Sequence, residues 1–184
     1  AETRRREDAL REGVPVDRAE RTPEQQARWL LAGLLDWYRR EAKPQWWDYY
    51  RHIEAPLDDL VSDSAALAGL SFVADLGRAK SSSVHRYAFD PAQDTKVVEG
   101  KSYVALAPAG DGSGWETTSV TVVALDPLAG TVDVKRNPSW AHPVALVPGG
   151  PYRTDAMRDA LLRLADHVIA HGIEGPGRFR AARD

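Results

Sequence analysis

Cysteine is absent from the 184 residues, which excludes disulfides, thiolate nucleophiles and cysteine-ligated zinc and fits an expected cytoplasmic location. No apolar run approaches the roughly 20 residues that cross a bilayer as a helix, so no membrane partner is expected. Methionine occurs once, at Met157. The start at Ala1, running into a charged ETRRRED stretch, has no signal-peptide logic, and the simplest expectation is a piece of a longer protein. An excess of positive charge is also missing: 24 Lys and Arg stand against 27 Asp and Glu, with a pI near 6.0. Autonomous nucleic-acid binders are usually strongly basic, and no third of this chain is a basic block, so a nucleic-acid contact has to come from a local patch.

The signatures of common chemistries are missing as well. No GxxxxGK[ST] phosphate loop occurs, and the glycine-rich GDGSGWETTS lacks its lysine. Asp90 or Asp94 followed by Glu99-Gly100-Lys101 imitates the metal-dependent nuclease pattern, in which carboxylates hold a metal and a lysine steadies the attacking group. Glycine between the two charges predicts a tight turn instead of a strand, and a charged turn needs no metal. Of the histidines, only His167 and His171 share an i, i+4 helical spacing, without HExxH or a third ligand. Ser81 to Ser83 sit in no G-x-S-x-G elbow and read as a loop. No catalytic residue, cofactor ligand or metal ligand is assigned.

What the chain does hold is aromatic mass. The segment Trp29 to Tyr50, WLLAGLLDWYRREAKPQWWDYY, carries Trp29, Trp37, Trp46 and Trp47 out of a total of six tryptophans, and side chains of that size need a partner surface. Residues 1–21 read as a charged lead-in, or the tail of a preceding domain, without a core. Thr22, Pro23 and Gln25 form a helix start with a capping box. From there Ala27, Leu30, Leu31, Leu34, Leu35, Tyr38 and Ala42 keep the rhythm of one buried face to about Lys43. Pro44 is expected to break that helix, with a short second one over 45–53. Residues 56–70 read as one or two further turns ending at Gly69.

At Leu70 the period changes to two. The runs LSFVADL, SVHRYAF, KSYVAL, SVTVVAL, TVDVK and VALVP, about ten residues apart, predict a small antiparallel β-barrel of about six strands. Val120, Val122 and Ala124 are expected to point inward, followed by a DPLAG turn with Gly130 at a bulge and by Val132 and Val134 on the return strand. Thr121, Asp133 and Lys135 are expected to face the other way. The loop APAGDGSG is the candidate for a flexible tip. Thr154 starts a last helix whose stripe runs through Met157, Ala160, Leu161, Leu164, Ala165, Val168 and Ile169 to Gly172. The reading is an α+β chain with a lead-in over 1–21, a helical linker over 22–69, a barrel over 70–148 and a stalk-like helix and tail over 149–184.

One constellation rises above background. Arg78, Lys80 and Arg86 flank the first β turn, and Lys135, Arg136, Asn137 and Trp140 follow the clear hairpin. Cations beside an aromatic hold phosphates and stack a base of a single strand. The plainer reading makes Trp140 core or a domain contact and the cations a solvated face.

Four strings, LLDWYRREAKPQWWDYY (34–50), DSAALAGL (63–70), TVVALDPLAGTVDVKR (121–136) and RTDAMRDALLRLADHVIAHGIEGPGRFRAARD (153–184), resemble the middle region of bacterial proteins that fuse a RecB-like putative nuclease to a superfamily 1 helicase. The resemblance spans about residues 25–184. It implies that the nuclease metal site precedes Ala1 and the helicase phosphate loop follows Asp184, so that Mg and ATP belong to the parent protein and neither catalytic set falls on a residue here. It also implies a barrel on stalk-like helices that positions nucleic acid, with the flanking nuclease and helicase domains as partners. The first expectation is therefore a noncatalytic accessory domain that places single-stranded nucleic acid and couples nuclease to motor. The alternative is a protein-interaction or interdomain-packing module without nucleic-acid contact, which the charge favours.

Overall fold

A computed structural model describes residues 2–79 and 81–176. The chain divides into two compact units, one formed by residues 1–44 with 151–184 and the other by residues 45–150.

The first unit is helical. Helix α1 (Glu2–Arg11) is followed by a 3-10 turn (Arg18–Glu20), α2 (Pro23–Leu34) and the first turns of α3 (Trp37–Glu54), and α5 (Asp155–His171) returns from the far end of the chain. The expected start of α2 forms as written, with Thr22 and Gln25 exchanging both bonds of a capping box. Each satisfies a donor that the first turn leaves open. Leu10, Leu31, Ala32, Leu35, Ala165 and Val168 make one buried cluster. The expectation that residues 1–21 carry no core is thereby corrected: Leu10 is fully buried. Two arginines also tie this segment down. Arg28 donates to the carbonyls of Ala9 and Glu12, and Arg21 lies 3.7 Å from the centre of the Trp29 ring, where a guanidinium is attracted by the ring face.

The helix break is not at Pro44. The helix is interrupted at Leu35 and Asp36, between α2 and α3, and α3 runs through Pro44 without interruption. Pro44 has no N–H to give the Arg40 carbonyl, but the turn at 35–36 buries Leu35 and lets Asp36 hold Arg39 at 2.6 Å. Burial and charge at the new helix start outweigh one missing bond.

The second unit holds the end of α3, a short α4 (Leu57–Ser62) and the strands β1 (Leu67–Ala68), β2 (Ser71–Ala79), β3 (Ser82–Ala88), β4 (Ser102–Pro108), β5 (Trp115–Asp126), β6 (Thr131–Arg136) and β7 (Ala145–Val147). All six expected runs are strands, and β1 adds a two-residue seventh. The sheet order is β1-β7-β4-β5-β6-β3-β2, and every neighbour pair is antiparallel. Its two outermost strands are consecutive in the chain, joined only by Gly69 and Leu70. A link that short spans about 10 Å at most, so the sheet curls into a half-barrel.

The inner face holds Leu67, Tyr87, Phe89, Tyr103, Ala105, Val120, Val122, Val132, Val134 and Leu146. On the side of β1, β7 and β4 the outer face is buried too, since Ala68, Leu106, Ala145 and Val147 pack with Leu60, and Ile53, Leu57 and Trp115 close over them. That double burial explains why VALVP reads as a continuous apolar run instead of an alternating one. Arg51, His52 and Asp63 fasten this side: Arg51 donates to Asp63 at 2.8 Å, and fully buried His52 lies 3.2 Å from the same carboxylate.

The β5–β6 hairpin departs from the expected alternation at one point. Val120 and Val122 point inward and Thr121 outward, as read, but a bulge between Val122 and Ala124 shifts the register. Ala124 therefore stands opposite Asp133, and Leu125, opposite Val132, turns to the core. Glu99 steadies the shift by accepting from the Leu125 N–H at 2.8 Å. Gly100 adopts a φ of 77°, so the Glu99-Gly100-Lys101 triplet is the expected turn. The APAGDGSG loop is closed on itself by a bond from Ala109 N–H to the Gly114 carbonyl.

Candidate functional site

The β3–β6 ladder decides where the nominated cations go. Ser83, His85 and Tyr87 stand opposite Arg136, Val134 and Val132, while Val84, Arg86 and Ala88 stand opposite Lys135, Asp133 and Thr131. The buried residues of both strands belong to the first set, apart from Asp133, so that set faces inward and the second outward. The constellation is thus split. Arg86 and Lys135 lie on the outer face, Arg136 lies inside, and Arg78, opposite Ser83 on β2, belongs to the inner face at its exposed end. Lys80 lies outside the described residues.

Their chemistry differs as much as their placement. Arg86 grips Asp133 through two bonds of 2.7 and 2.8 Å, and the Asp133 carboxylate holds its guanidinium above the ordinary arginine value. Arg136 is 2% exposed and donates to His85 Nδ1 at 2.9 Å and to the carbonyls of Trp140 and Ala141. Arg136 is closed to a phosphate, and Arg86, although 42% accessible, is already bound to a carboxylate. Lys135 is half-buried and Arg78 exposed, and among the described residues neither is in an ion pair. Trp140 is 46% exposed, held by its backbone to Arg136 and open at its indole.

Around Arg136 the structure assembles a cluster that the sequence reading did not name. Phe72 of β2 lies 4.3 Å from the His142 ring and 5.6 Å from that of His85, centre to centre, and the two imidazoles are 5.5 Å apart. The Tyr87 hydroxyl sits 2.9 Å from His142 Nδ1, and Asp75 brings a carboxylate oxygen 3.7 Å from His85 Nε2. Burial, and then the charge of Arg136, push His85 below the ordinary imidazole value, and His142, exposed on its outer side but packed against the cluster, is shifted the same way. Burial raises the Tyr87 phenol, which therefore stays protonated. The period-two pattern of SVHRYAF places His85 and Tyr87 on one face, and that alternation is the sequence signal for this pair. No comparable signal marks His142, which arrives on an irregular loop.

Among the described residues, no group of three or more His, Asp or Glu is arranged to hold a metal ion, and no helix is long and apolar enough to cross a membrane. His167 and His171 do come together, their rings 5.0 Å apart. Aromatic surface is displayed beyond Pro44 on α3. Trp46 stacks on Tyr50 with ring centres 5.8 Å apart, Trp47 is 72% exposed, and Tyr50 is also exposed. No family model, curated protein or solved structure matches this chain.

Proposed function

We propose that this chain is a noncatalytic accessory module of a larger protein that joins a nuclease to an ATP-driven helicase, and that it couples the two through protein contacts. The observation behind this choice is the fate of the nominated cations. Arg86 and Arg136 are engaged inside the module, whereas large aromatic side chains, Trp47 foremost, are displayed to solvent. Tyrosine and tryptophan are enriched at protein interfaces, and a contiguous exposed apolar patch is the surface feature that marks an interaction site. The larger assembly itself rests on the likeness of the four strings to the nuclease–helicase fusions.

Guidance of a single strand by the barrel is the second reading, favoured by Arg78, Lys135 and Trp140, which keep exposed or half-exposed side chains. Fluorescence anisotropy of the chain with a labelled single strand of about 20 nucleotides, at low and at moderate salt, separates the two. Phosphate contacts release counterions and give a steep salt slope. Coupling by protein contact predicts no binding at tens of micromolar. Salt-sensitive binding that is lost in an Arg78→Ala/Lys135→Ala double variant overturns it in favour of strand guidance.

A further inference from the structure

A guanidinium has only N–H groups, so at every bond it makes it donates. Nδ1 of His85, 2.9 Å from Arg136 Nη1, therefore carries a lone pair, and the single proton of the neutral ring sits on Nε2, facing Asp75 at 3.7 Å. The other terminal nitrogen of Arg136 donates to the carbonyls of Trp140 and Ala141, and among the described residues Nε makes no hydrogen bond. Arg136 is thus the post to which the strap from Asn137 to His142 is tied. The Tyr87 hydroxyl, 2.9 Å from His142 Nδ1, is the second tie.

We propose that this cluster is an acid-released latch, in which a proton taken up by His85 turns the acceptor facing Arg136 into a donor and frees the strap that carries Trp140 and His142. A protonated His85 presents an N–H to an N–H and a cation to a cation. The groups that face it are Asp75 from β2, Arg136 from β6, His142 from the strap and Tyr87 from its own strand, with the Phe72 ring against it. Asp75 is the one anion among them, and it already accepts from the Gly77 N–H. A protonated His142 adds a third positive charge with its ring 5.5 Å from that of His85, although its Nδ1–H can still donate to the Tyr87 oxygen, since a hydroxyl accepts as well as donates. Both imidazoles lie below the ordinary value of 6.5 while the strap is closed, so the open form binds protons more readily. The pH-linked contribution to closure is fully present above about 6.5 and is lost as the pH falls below it. This device does not depend on which partner the module meets.

Amide hydrogen exchange of Ser139 to His142, followed from about pH 8 to about pH 5 and corrected for intrinsic exchange, tests the latch. Protection of the strap is expected to fall about tenfold per pH unit for each histidine that gains a proton on opening, while Val122 and Val134 in the core stay protected. His85→Asn keeps an acceptor oxygen in place of Nδ1 but does not titrate, and it is expected to remove its share of that slope. Strap protection that ignores pH, or a slope unchanged in His85→Asn, overturns the proposal. Should that variant fail to fold, nitrogen NMR of the histidines in the native chain decides instead. A lone pair on Nδ1 of His85, lost together with strap protection, supports the latch, and a proton on Nδ1 at neutral pH overturns it.

Discussion

Arg86 and Asp133 face each other directly across the β3–β6 ladder and share two hydrogen bonds, of 2.7 and 2.8 Å. Arg86 supplies the exposed half of this pair, its side chain 42% accessible, and Asp133 the covered half at 10%. Cross-strand pairs of opposite charge support a sheet, and a covered carboxylate stripped of its partner costs more than an exposed one. Arg86→Ala is accordingly expected to lower the thermal midpoint and to leave any nucleic-acid affinity and its salt slope unchanged. Thermal denaturation and the anisotropy titration check the two halves separately.

Leu10 joins α1 to the helical core of the first unit, where it is fully buried with Leu31, Leu35 and Val168. Leu10→Ala removes that contact and leaves a cavity, a change that costs about 2–5 kcal/mol in such cores. Urea denaturation is expected to show an earlier midpoint and an unfolding free energy lower by about that amount. A loss under about 0.5 kcal/mol, as for an ordinary surface substitution, counts against a structural role for residues 2–11.

The core role of α1 leaves no pattern in the sequence. ETRRREDALR carries one large apolar residue in ten, and one leucine gives no period to read. The strands were legible because alternation repeats several times in each, and the two-faced burial of β7 was legible as an unbroken apolar run. The bulge at Val123 was not, since SVTVVALD alternates equally well in either register until Glu99 supplies an acceptor from another segment. Pro44 misled for a different reason. Proline disfavours the helix locally, whereas the break is placed at Leu35 by contacts with residues more than a hundred positions away. At the candidate site the residue types were visible, but the face each occupies was fixed by pairing: Lys135 and Arg136 are neighbours in sequence and lie on opposite sides of the sheet.

Gly130 ends the β5–β6 turn at a φ of 63°, and a Cβ there stands 2.5 Å from the Phe89 carbonyl oxygen and 2.8 Å from Pro91. Left-handed geometry alone costs an L-residue about 1–3 kcal/mol, and that oxygen is fixed because it belongs to the backbone. Gly130→Ala is therefore expected to destabilise by more than the conformational cost, read as a lower denaturation midpoint. Gly112, with a φ of 74° and open space around it, is the control that shows the conformational part alone.

Asp63 accepts from the Ala65 N–H and from Arg51, and these bonds, with His52 nearby, hold its carboxyl below the ordinary value of 3.8. A depressed carboxyl contributes stability that is fully present above its unfolded value and is lost as pH falls through the folded one. Wild type and Asp63→Asn are thus expected to differ in stability at neutral pH and to converge under strong acid, below about 3.8. Denaturation midpoints measured down that range test the sign: a gap that widens on acidification contradicts it.

Trp47 is 72% exposed beside Tyr50 and the stacked Trp46, so it contributes little to the fold, and a surface substitution of this kind usually changes stability by less than about 0.5 kcal/mol. An aromatic anchor buried by a partner behaves differently, since its truncation costs about 2 kcal/mol or more of binding when it sits at the centre of an interface. Trp47→Ser is expected to leave the melting of the chain unchanged and, under the proposed coupling role, to weaken association with separately produced nuclease and helicase domains by at least about 30-fold, that energy converted at about 1.4 kcal/mol per factor of ten. Isothermal titration of the two partners against both forms of the chain measures the ratio. Equal affinities exclude the aromatic face of α3 from the coupling surface, and a large drop in melting temperature assigns Trp47 to the fold instead.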